Sequence, residues 1–230
     1  MHARDIIKTA FPIDAETILL LDKVADLREK CARLTTSVGP ASLTALAPLV
    51  RAMNSYYTNK IEGQHSSPAD LEAAIERKFS DQDEIHRRQI LAIAHMDLEE
   101  ALEPIALRAS WAEQFTPQWI CRIHKDLYTQ LPEESRVILD SQGQARGFLE
   151  PGALRAIEVT VGAHRAPPVD LLPDLLRHFA FRYGVENAST NSKLLAAARR
   201  CTDCRGYIRL PMAMDASAGC KITFCLRTYN

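Results

Sequence analysis

The segment CTDCRGYIRLPMAMDASAGC, Cys201 to Cys220, decides how the fold of this chain is read, because it carries neither of the periods that build secondary structure. Helix-forming Lys193-Leu194-Leu195-Ala196-Ala197-Ala198 runs into it almost directly, so the change of character is abrupt. Methionine has a single codon. In the frame that starts one base earlier, the base carried from Met212 into Ala213, and from Met214 into Asp215, therefore forces a glycine at each junction. The base carried from Pro211 into Met212, or from Ala213 into Met214, gives only Asp, Asn, His or Tyr. The shifted frame thus contains [DNHY]-G-[DNHY]-G, a spacing that leaves backbone N–H groups free to approach a phosphate. Extended outward with permitted codons, Thr202 to Cys220 reads HRLPWIHPFTDGNGRVSRL.

HPFTDGNGR fits the HPFxDGNGR signature of the Fic (Fido) family, and the upstream chain resembles that family as well. The resemblance implies transfer of AMP from ATP to a hydroxyl side chain of another protein, with Mg²⁺ on the phosphates. It also implies a histidine that takes the proton of the attacking hydroxyl and an acidic residue that holds the metal. None of these residues stands in the chain itself, so no catalytic residue is assigned. The expectation is an indel near codons 198 to 201 and an out-of-frame tail beyond it. The expected fold is mainly α, a Fic-type helical bundle with one short β-hairpin flap, truncated at its C-terminal side. Its expected divisions are an N-terminal helical region (1–105), a partial core including the flap (106–198) and the tail (199–230).

Composition sets the frame for this reading. A chain of 230 residues, 47% hydrophobic, is long enough for one substantial core. A net charge of −1 gives no footprint for nucleic acid. The longest aliphatic run, Ile18 to Leu21, is too short to cross a bilayer, so no membrane partner is expected. Met1 to Asp5 lacks an apolar signal region, which makes a cytoplasmic, reducing location without disulfides the expectation.

Helical spacing organises the first half. Asp14 is placed to cap a helix with Ile18, Leu19, Leu21, Val24, Leu27 and Cys31 on one stripe, ending near Val38-Gly39-Pro40. Ser42 is the expected cap of a second, with Leu43, Leu46, Leu49, Met53, Tyr56 and Tyr57 as its packing stripe up to Ile61. Gly63 is its expected C-cap. Ser66-Ser67-Pro68 starts a third through Leu71, Ala74, Ile75 and Phe79, and a fourth runs from Ile85 through Leu91, Ala94, Leu98 and Leu102.

Thr58-Asn59-Lys60-Ile61-Glu62-Gly63 matches the [ST]xxxE[GN] inhibitory motif that accompanies Fic cores. By that resemblance Glu62 is a brake on productive ATP seating, with Thr58 orienting it and Gly63 ending the helix. A charge-assisted contact worth about 1.5 to 3 kcal/mol is enough to displace a phosphate-binding mode. A solvated glutamate at a helix end is the alternative from the residues alone.

Thr116-Pro117 starts a helix with Trp119, Ile120, Ile123, His124 and Leu127 on one stripe. His124 has no second ligand at a helical spacing and is read as a hydrogen-bonded core residue rather than a base or ligand. Leu131-Pro132-Glu133-Glu134 breaks the helix, and a polar, Gly-bearing stretch follows from Asp140 to Gly152. Leu154 to Gly162 then alternates as a strand whose pairing ends at Ala166-Pro167-Pro168, and a lone strand needs a hairpin partner. From Gly152 to Leu176 the sequence resembles the Fic flap and the helix after it. The resemblance makes Leu154, Arg155, Val159, Val161 and Gly162 the flap that holds an extended target segment of an unidentified protein substrate by backbone pairing. A hairpin without a partner is the plain alternative. Asp170 to Arg182 reads as a last amphipathic helix with Leu171, Leu172, Leu175, Leu176, Phe179 and Phe181.

The tail as written offers Cys201-x-x-Cys204 with Cys220 and Cys225. The second pair is not at the usual ligand spacing, so no metal site is assigned. Two functions follow: a self-inhibited protein AMP-transferase lineage whose catalytic loop is lost from this chain, so that ATP and Mg²⁺ are not expected to be bound by it, or a non-catalytic module whose flap grips a partner strand. Loss of the loop is also expected to strip packing partners from Leu127, Leu175 and Phe179 and to leave a sticky product.

Overall fold

The computed structural model describes residues 17–61, 64, 66–139, 142–158, 160–161, 164–165, 167–186, 189–193 and 196. The Asp14 cap, the side chains of Ile18, Leu19 and Leu21, and everything from 197 onward lie outside the described residues. The described chain is mainly helical, with small antiparallel strand pairs. The helices with described bounds are, in order, α1 (Thr17–Ser37), α2 (Pro40–Ile61), α3 (Pro68–Ile75), α4 (Asp83–Arg108), α5 (Pro117–Tyr128) and α6 (Leu172–Tyr183). Between α5 and α6 lie β1 (Val137–Leu139) with β2 (Ala145–Phe148), then β3 (Thr160–Val161) with β4 (His164–Arg165).

Several boundaries follow from capping chemistry. Ser67 begins α3 as expected: its Oγ accepts from the Asp70 N–H at 3.1 Å, while the Ser67 N–H donates back to Asp70 Oδ2 at 3.2 Å. Thr116 Oγ accepts from the Trp119 N–H and starts α5, with Pro117 at its first position. Ser42, by contrast, is not the cap of α2. The helix starts at Pro40, and the Gly39 carbonyl accepts from the Ser42 and Leu43 N–H groups, because proline's fixed φ suits the first helical position. α3 stops at Ile75, since Arg77 sits at φ +59°, and Phe79 lies beyond the helix with its ring 5.5 Å from that of His86. The polar, Gly-bearing stretch after Asp140 holds a strand, Ala145–Phe148, paired to β1 through Val137↔Phe148 and Ile138↔Gly147.

α4 is the longest helix and the one the others pack on; it runs unbroken through the expected division at 105 and 106. α2, α3 and α5 lie against it, and α6 packs on α5. The core is aromatic at one end, where Trp111, Phe115, Phe179 and Tyr183 meet at ring separations from 4.8 to 6.1 Å. Trp111 Nε1–H donates to the Tyr183 carbonyl at 2.8 Å and ties α6 to the turn before α5. Leu127, Leu175 and Phe179, expected to lose their partners, are 0%, 6% and 3% exposed, and α4, α5 and α6 close a core around Leu127 and Phe179. Phe181, placed on the inner stripe from the sequence, is 81% exposed; the inward turn of α6 belongs to Phe179 and Tyr183.

The expected packing stripe of α2 is also turned the wrong way. Leu43, Leu46, Leu49, Met53 and Tyr57 are all exposed. The face against α4 carries Ala52, Ser55 and Asn59 instead, and it is stitched by polar contacts. Ser55 Oγ donates to the Ala92 carbonyl at 2.9 Å, Asn54 Nδ2 to Glu99 at 3.0 Å, and Arg51 pairs with Glu103 at 2.6 Å. Among the described side chains of α1, Val24 is buried, while Leu27 and Leu34 are exposed.

Candidate functional site

The motif at the end of α2 is the first half of the candidate site. Thr58 is half-buried in the last turn of the helix, and Asn59 is 2% exposed with its Nδ2 3.4 Å from Ser55 Oγ. The Gln64 N–H returns to the Asn59 carbonyl at 2.9 Å, which brings the chain back over the helix end. Glu62 and Gly63 lie outside the described residues. Sequence reasoning passed over Asn59 because a polar residue inside a motif reads as solvated. The α2 polar seam buries it.

The second half is the flap. Of the strand expected across Leu154–Gly162, the ladder among the described residues holds Thr160↔Arg165 and Val161↔His164. Val159 and Gly162 lie outside the described residues, as does the Val161 side chain. Residues 153–158 are not in a strand, because their side chains and backbone are committed to the base of the flap instead. Leu154 packs half-buried against the main core. Arg155 is 6% exposed and works as a clamp, with Nη1 donating to the Ile157 carbonyl at 2.7 Å and Nη2 to the Pro167 carbonyl. Glu158 lies 3.9 Å from its Nη1 and accepts from the Val169 N–H at 3.1 Å. Burial pushes the Arg155 pKa down, with Glu158 opposing. The guanidinium therefore joins the segments on either side of the hairpin rather than facing outward.

Gly152 anchors the flap to α5. Its φ of +84° is a conformation that side chains resist, and an added Cβ would stand 3.0 Å from Lys125 Cβ and 3.2 Å from the Cys121 carbonyl. Its N–H donates to His124 Nδ1 at 2.8 Å, and His124 is 1% exposed with its ring 4.7 Å from Tyr128. The acceptor role of Nδ1 puts the ring proton on Nε2. His124 is thus a hydrogen-bonded core residue that holds the flap's first turn.

Two features went unread in the sequence. His95 is 3% exposed, neither ring nitrogen has a hydrogen-bond partner, and burial lowers its pKa to about 4. An open cleft of about 450 Å³ is lined by Ile105, Arg108, Glu113, Gln118, Trp119 and Arg122 among others, and it includes neither flap residues nor Thr58. Among the described residues no group of three or more His, Cys, Asp or Glu is placed to hold a metal ion, and the four tail cysteines lie outside them. No described helix is long and apolar enough to cross a membrane. No protein-family model matches the chain, and neither a curated protein nor a solved structure matches it.

Proposed function

We propose that this chain carries the regulatory and target-facing parts of a Fic-type protein AMP-transferase and does not itself transfer AMP. The observation that supports this most is the rigid seat of the hairpin. Arg155, Gly152 and His124 fix its base with buried hydrogen bonds, as a segment that must hold an extended target strand requires. Thr58 lies in the last turn of α2, which packs on α4 as does the α5 that seats the flap, in the order the resemblance asks for. ATP and Mg²⁺ belong to the activity of the lineage, and the chain as written lacks the His, acidic, Gly and Arg residues of HPFxDGNGR that would bind them.

The test uses the chain and a version whose gene has one base restored between codons 198 and 201. The chain as written, of intact mass 25.7 kDa, is expected to show no Mg·ATP binding by calorimetry and no self-labelling with ATP. The restored version is expected to bind ATP, and Glu62→Gly in it to raise self-labelling by about tenfold or more. ATP binding by the chain as written, or a folded restored version without it, would overturn the proposal. A second reading, a non-catalytic module that pairs a partner strand, draws on the same seat because Ile157 and Pro167, which the clamp holds, both lie in the flap segment itself. Shifts of the Thr160 and Val161 amides with an extended peptide, in the absence of ATP, would favour it.

A further inference from the structure

The cleft where α4 ends and α5 begins lies apart from the flap and from Thr58, and the proposed function makes no use of it. It holds about 450 Å³ between the last turn of α4, with Ile105 and Arg108, and the first turns of α5, with Gln118, Trp119 and Arg122. Its hydrogen-bonding groups are unevenly spent. The acceptors fixed in its wall are largely taken. Thr116 Oγ accepts from the Trp119 N–H at 3.2 Å, and the Glu113 carbonyl accepts from the Thr116 hydroxyl at 2.7 Å. The Ile105 carbonyl accepts from the Ala109 N–H at 3.0 Å, and Glu113 Oε2 from the Ser110 N–H at 2.7 Å.

The donors are not taken. Among the described residues, the Arg108 side chain makes no hydrogen bond or ion pair. Arg122 reaches Asp126 through Nε, at 3.4 Å between half-exposed groups, a weak contact that leaves its outer nitrogens unspent. The Gln118 N–H stands in the first turn of α5, where the helix itself supplies no acceptor. Trp119 is 7% exposed, and its buried Nε1–H has no acceptor, a rare condition in a packed core. The other indole, that of Trp111, donates to the Tyr183 carbonyl, so the unmet donor is particular to the cleft wall.

We propose that this cleft binds a small organic monocarboxylate. Unspent donors facing spent acceptors call for a group that only accepts, and a carboxylate is planar in the way that matches the guanidinium fork. Charge sets the valence: Arg108 and Arg122 against the single Glu113 leave the wall positive by one charge. A phosphate dianion would set its second charge against Glu113 and the carbonyl end of α4. Ile105 and Ala109 offer an apolar surface for the body of the ligand, and the volume falls within the range of about 300 to 1,000 Å³ usual for small-molecule sites.

The test is a ¹H–¹⁵N NMR titration of the full chain with benzoate as the probe. The chain has two tryptophans, so each indole N–H gives its own signal. The Trp119 signal is expected to move to saturation with a dissociation constant below about 1 mM, while that of Trp111 stays in place. Arg108→Gln and Arg122→Gln are each expected to weaken binding about tenfold. Both side chains are exposed, so far-UV circular dichroism should be unchanged. Arg87→Gln, which removes the same charge from α4 outside the cleft, leaves the affinity as it was. Acetate, which lacks the apolar body, and phenyl phosphate, which adds a charge, are each expected to bind about tenfold more weakly. Absence of a saturable shift at the Trp119 indole overturns the proposal. Equal weakening by Arg87→Gln overturns it as well, since the effect would then be one of net charge. Acetate as tight as benzoate would mean an adventitious ion only, and phenyl phosphate as tight as benzoate would overturn the choice of a carboxylate.

Discussion

Three residues after Ala92 and four before Glu99, both of which bond α2, His95 sits buried with two unpartnered ring nitrogens. Its pKa of about 4, against an ordinary 6.5, means the native chain keeps it neutral while the unfolded chain takes up a proton. Stability linked to His95 is thus complete above pH 6.5 and is lost as pH falls toward 4, in total about 3 kcal/mol at 1.36 kcal/mol per pH unit. His95→Leu should flatten the fall in urea midpoint between pH 7 and 4.5 and leave neutral-pH stability equal or higher, as it removes unpaired buried polar atoms. An unchanged slope would refute this. His178, lowered by burial and by Arg182, leaves a residual slope of the same sign, while Glu99, raised by burial, works in the opposite direction above its ordinary value. At the flap, Arg155→Ala leaves the carbonyls of Ile157 and Pro167 without their donor and should cost about 2 to 3 kcal/mol. Amide exchange at Thr160 and Val161 should speed up while α4 amides keep their protection; uniform change would mean the clamp is not local. Little of this was legible beforehand. His95 and Asn59 read as ordinary polar residues because burial is decided by the helix opposite, and Arg155 read as a target contact because its carbonyl partners come from both sides of the hairpin.

Among the elements, α3 depends most on its ends. It has eight residues, too few for a helix to persist alone, and its reciprocal Ser67 and Asp70 bonds occupy the first-turn donors. Gln89 secures it from α4, donating to the Asp70 carbonyl and accepting from the Ser80 N–H, both at 2.8 Å. Ser67→Ala should cost about 1 kcal/mol in urea denaturation, with Ser67→Thr restoring most of it. Equal stability of the alanine variant would show that the Gln89 bonds alone hold the element. The start of α3 was readable because a capping box is a local signal. The face of α2 was not: its apolar period is real, but a period fixes a stripe and not what lies against it. Ala52, Ser55 and Asn59 offer a small, hydrogen-bonding surface that admits the close approach and polar stitching to α4.

At the scale of the whole molecule, Trp111 and Trp119 both belong to the core shared by α4, α5 and α6, and none of the described side chains of α1 belongs to it. Fluorescence reports that core, whereas far-UV circular dichroism reports every helix. Urea unfolding of dilute chain should therefore give an earlier midpoint by dichroism than by fluorescence, with α1 amides exchanging faster than those of α4. Coincident transitions would show that α1 unfolds with the core. By itself the sequence determined the helical class, the starts of α3 and α5, the inward stripe of α5 and a hairpin before α6, since caps, periods and turn residues act over a few neighbours. The core position of His124 was legible from its place on the α5 stripe, whereas tertiary structure alone decided which stripes are covered and that Arg155 and Asn59 are buried. Those outcomes depend on pairs of residues far apart in the chain, whose meeting no local spacing encodes.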